Sequence, residues 1–548
     1  MNQQETLIRI LNTTSKLMQL HGQNAFRARA YEKAADAITN IQAPISEMTA
    51  QELANHEGVG EQLARKIVLF FESGVFEVYE KLMYETPKGV MELMNIKGLG
   101  IKKIQTLWKE HQLDTPEKLL EAAKNKELQK LKGFGKKTEE NLHKALLYYL
   151  QNRAYHLYAK AESEAAFMAD LLENVAACVR FEFVGDLARK CDAVKSLSIL
   201  CEVKDKADFE AALGKHGIAV QEDHNWVSPR YHIPLQFFYA TEADWVAQKI
   251  HHIGSTDFVS AVFGDEVPLA KEEKAAFEKA NHPFLPPEMR EAVWAKQAVS
   301  PERIENLIRP EDLKGAIHNH STYSDGKFSI AEMAKACQDL DLQYFGIADH
   351  SQTAYYAGGL KPETLVKQIE EVDALNEELA GKFKVFTGIE SDILKDGSLD
   401  YEDELLAKLD YVVASVHAGL DMNQKTATER LLKAIEHPQT NVLGHVSGRL
   451  LLIRSGYPYD VEKVVDACIA NKVAIEINAN PRRLDMDWEN LIKAYEKGAY
   501  FAINPDAHHT EHLPYMYYGV QVARKAGITK ERVINTFSTS DIQGFFKK

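Results

Sequence analysis

The sequence predicts a multidomain chain of mixed class, α+β and α/β. A helical N-terminal third precedes a smaller α+β middle and a C-terminal, distorted (β/α)7 barrel of the TIM type. Three observations lead there. The chain has 548 residues, too many for one hydrophobic core. Short Gly-hydrophobic-Gly turns recur three times between helical patterns in the first 150 residues. After Lys314, seven apolar runs alternate with helical patterns, and six of the seven end in His, Asp or Glu.

Composition narrows the class further. With 45% hydrophobic and 26% charged residues the chain reads as a globular protein, and no apolar run approaches the ~20 residues needed to span a bilayer. The first residues lack the basic and apolar regions of a secretory signal. The five cysteines, scattered and without a Cys-x-x-Cys, fit reduced thiols in a cytoplasm. The net charge of −15 argues against indiscriminate nucleic-acid binding, but residues 1–150 carry 21 Lys+Arg against 19 Asp+Glu. A phosphate-tracking surface is therefore expected at the N-terminal end.

In that third, Leu7, Ile8, Ile10, Leu11, Leu17, Met18 and Leu20 recur at helical steps. The turns follow as Gly58-Val59-Gly60, Gly98-Leu99-Gly100 and Gly133-Phe134-Gly135, each between helical patterns. Paired glycines let the backbone turn tightly and aim free N–H groups at an anion, and Lys102 and Lys136 follow closely. The units resemble helix-hairpin-helix modules, which hold DNA by its phosphates. With Gly22–Tyr31 they resemble the N-terminal helical region of family X DNA polymerases. That resemblance implies a first DNA-binding domain over 1–80 and two more hairpins over 81–150. It also gives Lys66 a possible lyase role as a Schiff-base nucleophile, beside the simpler one of a phosphate contact.

The same resemblance implies a nucleotidyltransferase palm over 151–240 and a thumb-like segment over 241–299. Its pattern is Gly-Ser, then Asp-x-Asp on a strand, then a third aspartate on a neighbour, because two-metal phosphoryl transfer needs three carboxylates. Val184–Leu200 keeps the spacing but not the chemistry. Gly185 stands at the glycine, Asp186 at the serine, Ser196 and Ser198 at the paired aspartates, and Pro234 in the strand expected to carry the third. A hydroxyl does not replace an anionic Mg²⁺ ligand, so loss of polymerase activity is expected.

A linker over 300–313 leads to the last domain, 314–548. Its candidate strands are Ala316–His320, Tyr344–His350, Lys384–Glu390, Tyr411–His417, Val442–His445, Val473–Asn478 and Tyr500–His508. In such barrels chemistry sits at the strand C-terminal ends. Those ends supply His318, His320, His350, Glu390, His417, His445, Asp506 and His508, with Asp325 just beyond the first. Strand alternation would put His318 and His320 on one side, about 7 Å apart. Burying so many ionisable groups without a cation would be costly, and imidazole with carboxylate but no thiolate suits Mn²⁺, Fe²⁺ or Zn²⁺.

These motifs resemble the polymerase-and-histidinol-phosphatase (PHP) family at all nine of its ligand positions. The resemblance implies three divalent ions, with Mn²⁺ preferred: one on His318, His320, Glu390 and Asp506, a second on Glu390, His417 and His445, and a third on Asp325, His350 and His508. Arg449 and Arg454 are candidate phosphate clamps, and Lys361 is placed on a mobile loop facing the site. His509 and His512 are read as peripheral. The whole chain resembles a bacterial family X polymerase whose palm has lost its catalytic residues. The function expected is a metal-dependent 3′–5′ exonuclease acting on DNA in repair. A histidinol-phosphatase-like phosphomonoesterase and a non-enzymatic DNA scaffold are the alternatives.

Overall fold

The computed structural model describes residues 3–41, 43–216, 218–220 and 226–547. They form two compact units, Met1–Arg153 and Ala154–Lys548.

The first unit is helical. Gly60, Gly100 and Gly135 stand at the N-caps of helices Glu61–Ser73, Ile101–His111 and Lys136–Asn152. Gly58, Gly98 and Gly133, two residues earlier, have φ of +99°, +89° and +89°, where glycine pays no Cβ penalty. Val59, Leu99 and Phe134 are buried, so the middle residue of each turn pins it to the core and leaves the flanking glycines outward. One continuous core runs from Leu7 through Leu146, joining the regions expected as separate pieces, 1–80 and 81–150.

The second unit opens with a five-stranded sheet: β1 (Cys178–Val184), β2 (Leu197–Val203), β3 (Ala219–Val220), β4 (Trp226–Val227) and β5 (Pro234–Tyr239), in spatial order β1-β2-β5-β4-β3. β2 and β5 run parallel, with Ser198 beside Gln236. The barrel strands follow as β6 (Gly315–Ala316), β7 (Tyr344–Gly346), β8 (Lys384–Phe386), β9 (Gly388–Asp392), β10 (Tyr411–Ser415), β11 (Val442–Leu443), β12 (Ala474–Asn478) and β13 (Phe501–Asn504). Neighbours pair in parallel, β6-β7-β8 and β9 through β13. Thr387 alone separates β8 from β9, and bridges His350–Glu390 and Asn319–Ala507 link the two groups on either side.

Five strands, β6, β7, β10, β11 and β13, stop short of the ligand residues at their expected ends. β6 stops at Ala316, and His318 has φ +77°. Simple alternation therefore does not place the His318-x-His320 pair. The Asn319 side chain replaces the ladder there, donating to the carbonyls of Ala316 (3.1 Å) and Gly346 (3.0 Å). Asp506, past the end of β13, likewise has φ +52°. The barrel interior is apolar: Ile317, Tyr344, Phe386, Tyr411, Val442 and Ala502 pack against Ile542 and Phe546 of helix Thr539–Phe546. Phe546 stacks on Tyr411 at 4.8 Å.

Palm, thumb-like segment and barrel form one compact unit rather than modules on a linker. Ile250, Phe258, Phe277 and Trp294 share a core with Leu491, Ile528 and Val533. Arg449 reaches Asp192 at 2.7 Å, Arg524 reaches Glu288 at 2.7 Å, and the buried Lys525 reaches Glu291 at 2.6 Å.

Candidate metal centre

All nine ligand-type residues converge on the mouth of the barrel. Glu390 is central and buried: its Oε1 lies 3.2 Å from His318 Nε2, 3.2 Å from His417 Nε2 and 3.0 Å from His445 Nε2, and its Oε2 lies 2.9 Å from His350 Nδ1. Asp506 Oδ1 is 3.2 Å from His320 Nε2, and Asp325 Oδ1 is 3.2 Å from His508 Nε2. Ligand atoms gather into three overlapping groups: His318, His320 and Asp506; His320, Asp325, His350 and His508; and His350, Glu390 and His417. His445 touches Glu390 from outside them.

These groups fit divalent cations by their own chemistry. Among the described residues, His318 Nε2, both ring nitrogens of His320, Asp325 Oδ1, His350 Nδ1, Glu390 Oε2 and His445 Nδ1 are buried without a hydrogen-bond partner. Such atoms are expensive to leave unpaired, and those of His318, His320, Asp325, His350 and Glu390 belong to the three groups. Burial, with His508 and His350 alongside, pushes the His320 imidazole down to about 3, so it is a neutral donor. Burial would raise Glu390, but His417, His318 and His350 hold it well below the usual carboxylate range.

An outer ring of carboxylates, absent from the sequence reading, fixes the imidazoles. Glu476 on β12 accepts from His318 Nδ1 at 2.6 Å and from the His445 backbone N–H at 2.7 Å. That turns His318 Nε2 towards Glu390. Asp392 accepts from His417 Nδ1 at 2.5 Å and thereby turns Nε2 of His417 the same way. The available signal was a carboxylate inside an apolar strand, Ala474-Ile475-Glu476-Ile477, and an acid two residues beyond Glu390.

The arginine expectations need revision. Arg449 is engaged elsewhere, with Nη2 on Asp192 (2.7 Å) and on the Leu484 carbonyl and Nε on the Arg483 carbonyl (2.9 Å). It is a strut between palm and barrel. Arg454 is half-buried, with Nε on the Gly448 carbonyl (2.9 Å). Burial and the neighbouring positive charge of Arg483 hold its guanidinium below its ordinary value. Arg483, which the sequence reading did not single out, lies 3.4 Å from Asp506. Lys361 caps helix Pro362–Leu379, and the loop before it is tied down by hydrogen bonds rather than loose. His509 and His512 lie beyond His508, and His509 caps the turn Thr510–Tyr515.

Three stretches match family models: a helix-hairpin-helix domain over residues 2–76, a SAM-like helix-hairpin-helix tandem over 90–146, and a PHP domain over 316–480. A DNA polymerase/3′-5′ exonuclease PolX from Bacillus subtilis (strain 168) is 34% identical over 568 aligned positions, covering 99% of both chains. The chain belongs to the PolX family. The PHP region also resembles a probable phosphatase of Thermoanaerobacter sp. (strain X514), 30% identical over 40% of this chain and 89% of that one. Histidinol phosphate phosphatase from Lactococcus lactis subsp. lactis, solved with zinc, L-histidinol and phosphate, aligns at 18% identity and a TM-score of 0.32, over 39% of this chain and 94% of that one.

The palm of this PolX member carries a second concavity, lined by Gly185, Asp186, Arg189, Lys195, Ser196, Ser198 and Gln236. Two of its charged side chains, Asp186 and Arg189, are matched internally. Asp186 pairs with Arg189 at 2.6 Å, and Arg189 also reaches Glu291 at 3.0 Å. Gln236, not Pro234, stands beside Ser198 and accepts from its hydroxyl at 3.3 Å. Pro234 is exposed at the start of β5, opposite Val227. In a parallel pair the register, which the sequence leaves open, decides which residue faces Ser198.

Proposed function

We propose that this protein binds DNA through its hairpins and hydrolyses phosphodiesters at 3′ ends in the PHP barrel, as a 3′–5′ exonuclease of repair without polymerase activity. The observation that carries the reading is the set of buried, unpartnered ligand atoms around Glu390, in a chain related along its length to a polymerase/exonuclease. His318, His320 and Asp506, then Asp325, His350 and His508, and finally Glu390 with His417 and His445 would hold three divalent ions, Mn²⁺ foremost. Ions so held supply Lewis acidity, charge neutralisation and an acidified water for in-line attack at phosphorus.

The chain's own residues do the rest. Glu476 and Asp392 hold imidazoles in the tautomer that presents Nε2 inward, and Arg483, 3.4 Å from Asp506, places positive charge there for a phosphate, with Arg454 close to Arg483. The three hairpin turns, Gly58–Gly60, Gly98–Gly100 and Gly133–Gly135, offer backbone N–H groups, with Lys66, Lys102 and Lys136 following each. Lys66 lies 3.3 Å from the Tyr31 hydroxyl, which suits a phosphate contact. In the palm, Ser196, Ser198 and Gln236 offer only neutral oxygens where metal carboxylates are required, and Asp192 is held by Arg449.

The test pairs two assays. Release of mononucleotides from 3′-recessed DNA is expected with Mn²⁺ in preference to Mg²⁺ or Zn²⁺, with no primer extension from dNTPs. Template-dependent synthesis would refute the palm reading. Turnover of histidinol phosphate faster than of DNA would favour the phosphomonoesterase.

A further inference from the structure

We propose that Tyr355 and Tyr356 form a stacking platform for the base of the terminal nucleotide, beside the mouth of the barrel. The proposal rests on the nuclease reading and deepens it. Both tyrosines stand at the crest of a short loop that leaves the site just after His350, and they are 86% and 73% exposed.

That exposure is built in. Thr353 Oγ1 donates to Asp392 (2.7 Å) and Asp400 (2.9 Å), and its backbone N–H also donates to Asp400 (2.7 Å). The Leu360 N–H returns to the His350 carbonyl at 2.8 Å, and the Gly359 N–H to Ala354 at 3.1 Å. Ala354 and Ala357 are buried beneath the tyrosines. Gly359 is packed so closely that a Cβ there would lie 2.0 Å from the Ser351 carbonyl oxygen. The loop is thus fixed from below, by Asp392 among others, the carboxylate that also orients His417. A fixed loop loses little freedom when a ligand covers it.

Their location matches a nucleotide better than a small alkyl phosphate. The Tyr356 ring lies 6.2 Å from that of His350, and its hydroxyl feels the charges of Asp392, Glu390, Asp325 and Arg483. The Tyr356 ring therefore sits beside the metal ligands, and that of Tyr355, next in the chain, is the more exposed of the two. A base is one sugar away from its own phosphate, a step of the same order. Every base has a π-face, so an aromatic platform binds the end of a strand without choosing its sequence. A polar alkyl chain gains little from the same rings.

Two DNAs that differ only in the last residue test this, one ending in a normal nucleotide and the other in tetrahydrofuran, which lacks a base. The full-length wild type is expected to prefer the base-bearing end in kcat/KM, chiefly through KM. Tyr355→Ala with Tyr356→Ala should collapse that preference by roughly 5- to 100-fold, and Tyr355→Phe with Tyr356→Phe should restore it. A terminal 2-aminopurine behind a phosphorothioate linkage gives a second readout: its fluorescence should be quenched by wild type and by the Phe pair, and not by the Ala pair. An unchanged preference in the Ala pair, or 2-aminopurine quenching that survives in it, overturns the platform alone. If wild type cleaves neither DNA, the nuclease reading itself falls.

Discussion

The barrel mouth and the palm pocket are both polar concavities at strand ends, and they treat their polar atoms in opposite ways. In the palm, Asp186 meets Arg189, Ser198 meets Gln236, and Arg189 meets Glu291. Those buried or half-buried polar groups are satisfied within the chain. At the mouth, donor atoms of His318, His320, His350 and Glu390 are buried and left without partners. Single unpaired atoms occur elsewhere in the chain, but so many gathered at one place call for something that completes them. Residue type alone does not separate the two, since an aspartate, Asp186, and two histidines, His251 and His252, line the palm pocket as well. What separates them is whether each buried charge already has a partner inside the chain.

The comparison breaks most readily at Glu390. Replacing it with Ala removes the one carboxylate that faces four imidazoles. Nuclease activity should fall below detection and bound metal, measured by plasma mass spectrometry, should drop. Full metal content in that variant would show that Glu390 is not the hub. Glu476→Gln is milder, because the amide keeps the shape but no longer stabilises the outward-facing N–H of His318 with a charge. A 10- to 100-fold weaker metal affinity is expected, read by competition with a chelating dye. Unaltered affinity would reduce Glu476 to packing. The smallest effect lies between the two sites. Arg449→Ala strands Asp192, and since these side chains keep 16% and 15% exposure the cost falls below that of a fully buried pair. Roughly 1–2 kcal/mol of stability should be lost, visible as a shifted urea midpoint. No shift would mean the bridge is idle.

Much of the site was legible because ligands at the ends of parallel strands recur with the strands themselves. His350, Glu390, His417 and His445 each close an apolar run, and the βα rhythm alone brings such ends together. The paired His318 and His320 were found for a reason that the backbone does not use, since His318 leaves the strand with positive φ. Glu476 and Asp392 were passed over because each lies in a strand already explained by its apolar neighbours. Arg449 looked like a phosphate clamp, and only a partner 257 residues away shows otherwise. The same holds for Gln236: the choice between it and Pro234 depends on the register of two parallel strands that no hairpin connects. Long-range pairing of this kind leaves no local mark.

The ion pairs of Asp192, Glu288 and Glu291 with Arg449, Arg524 and Lys525 bear on how such a protein can change over time. Substitutions in the palm pocket, at Ser196 or Ser198, touch none of these bridges. Excising the palm would leave Arg449 without Asp192, and excising the thumb-like segment with it would unpair Lys525 and strip Trp294 from the core it shares with the barrel. A palm bonded in this way is a wall of the room next door, whatever reaction it performs itself.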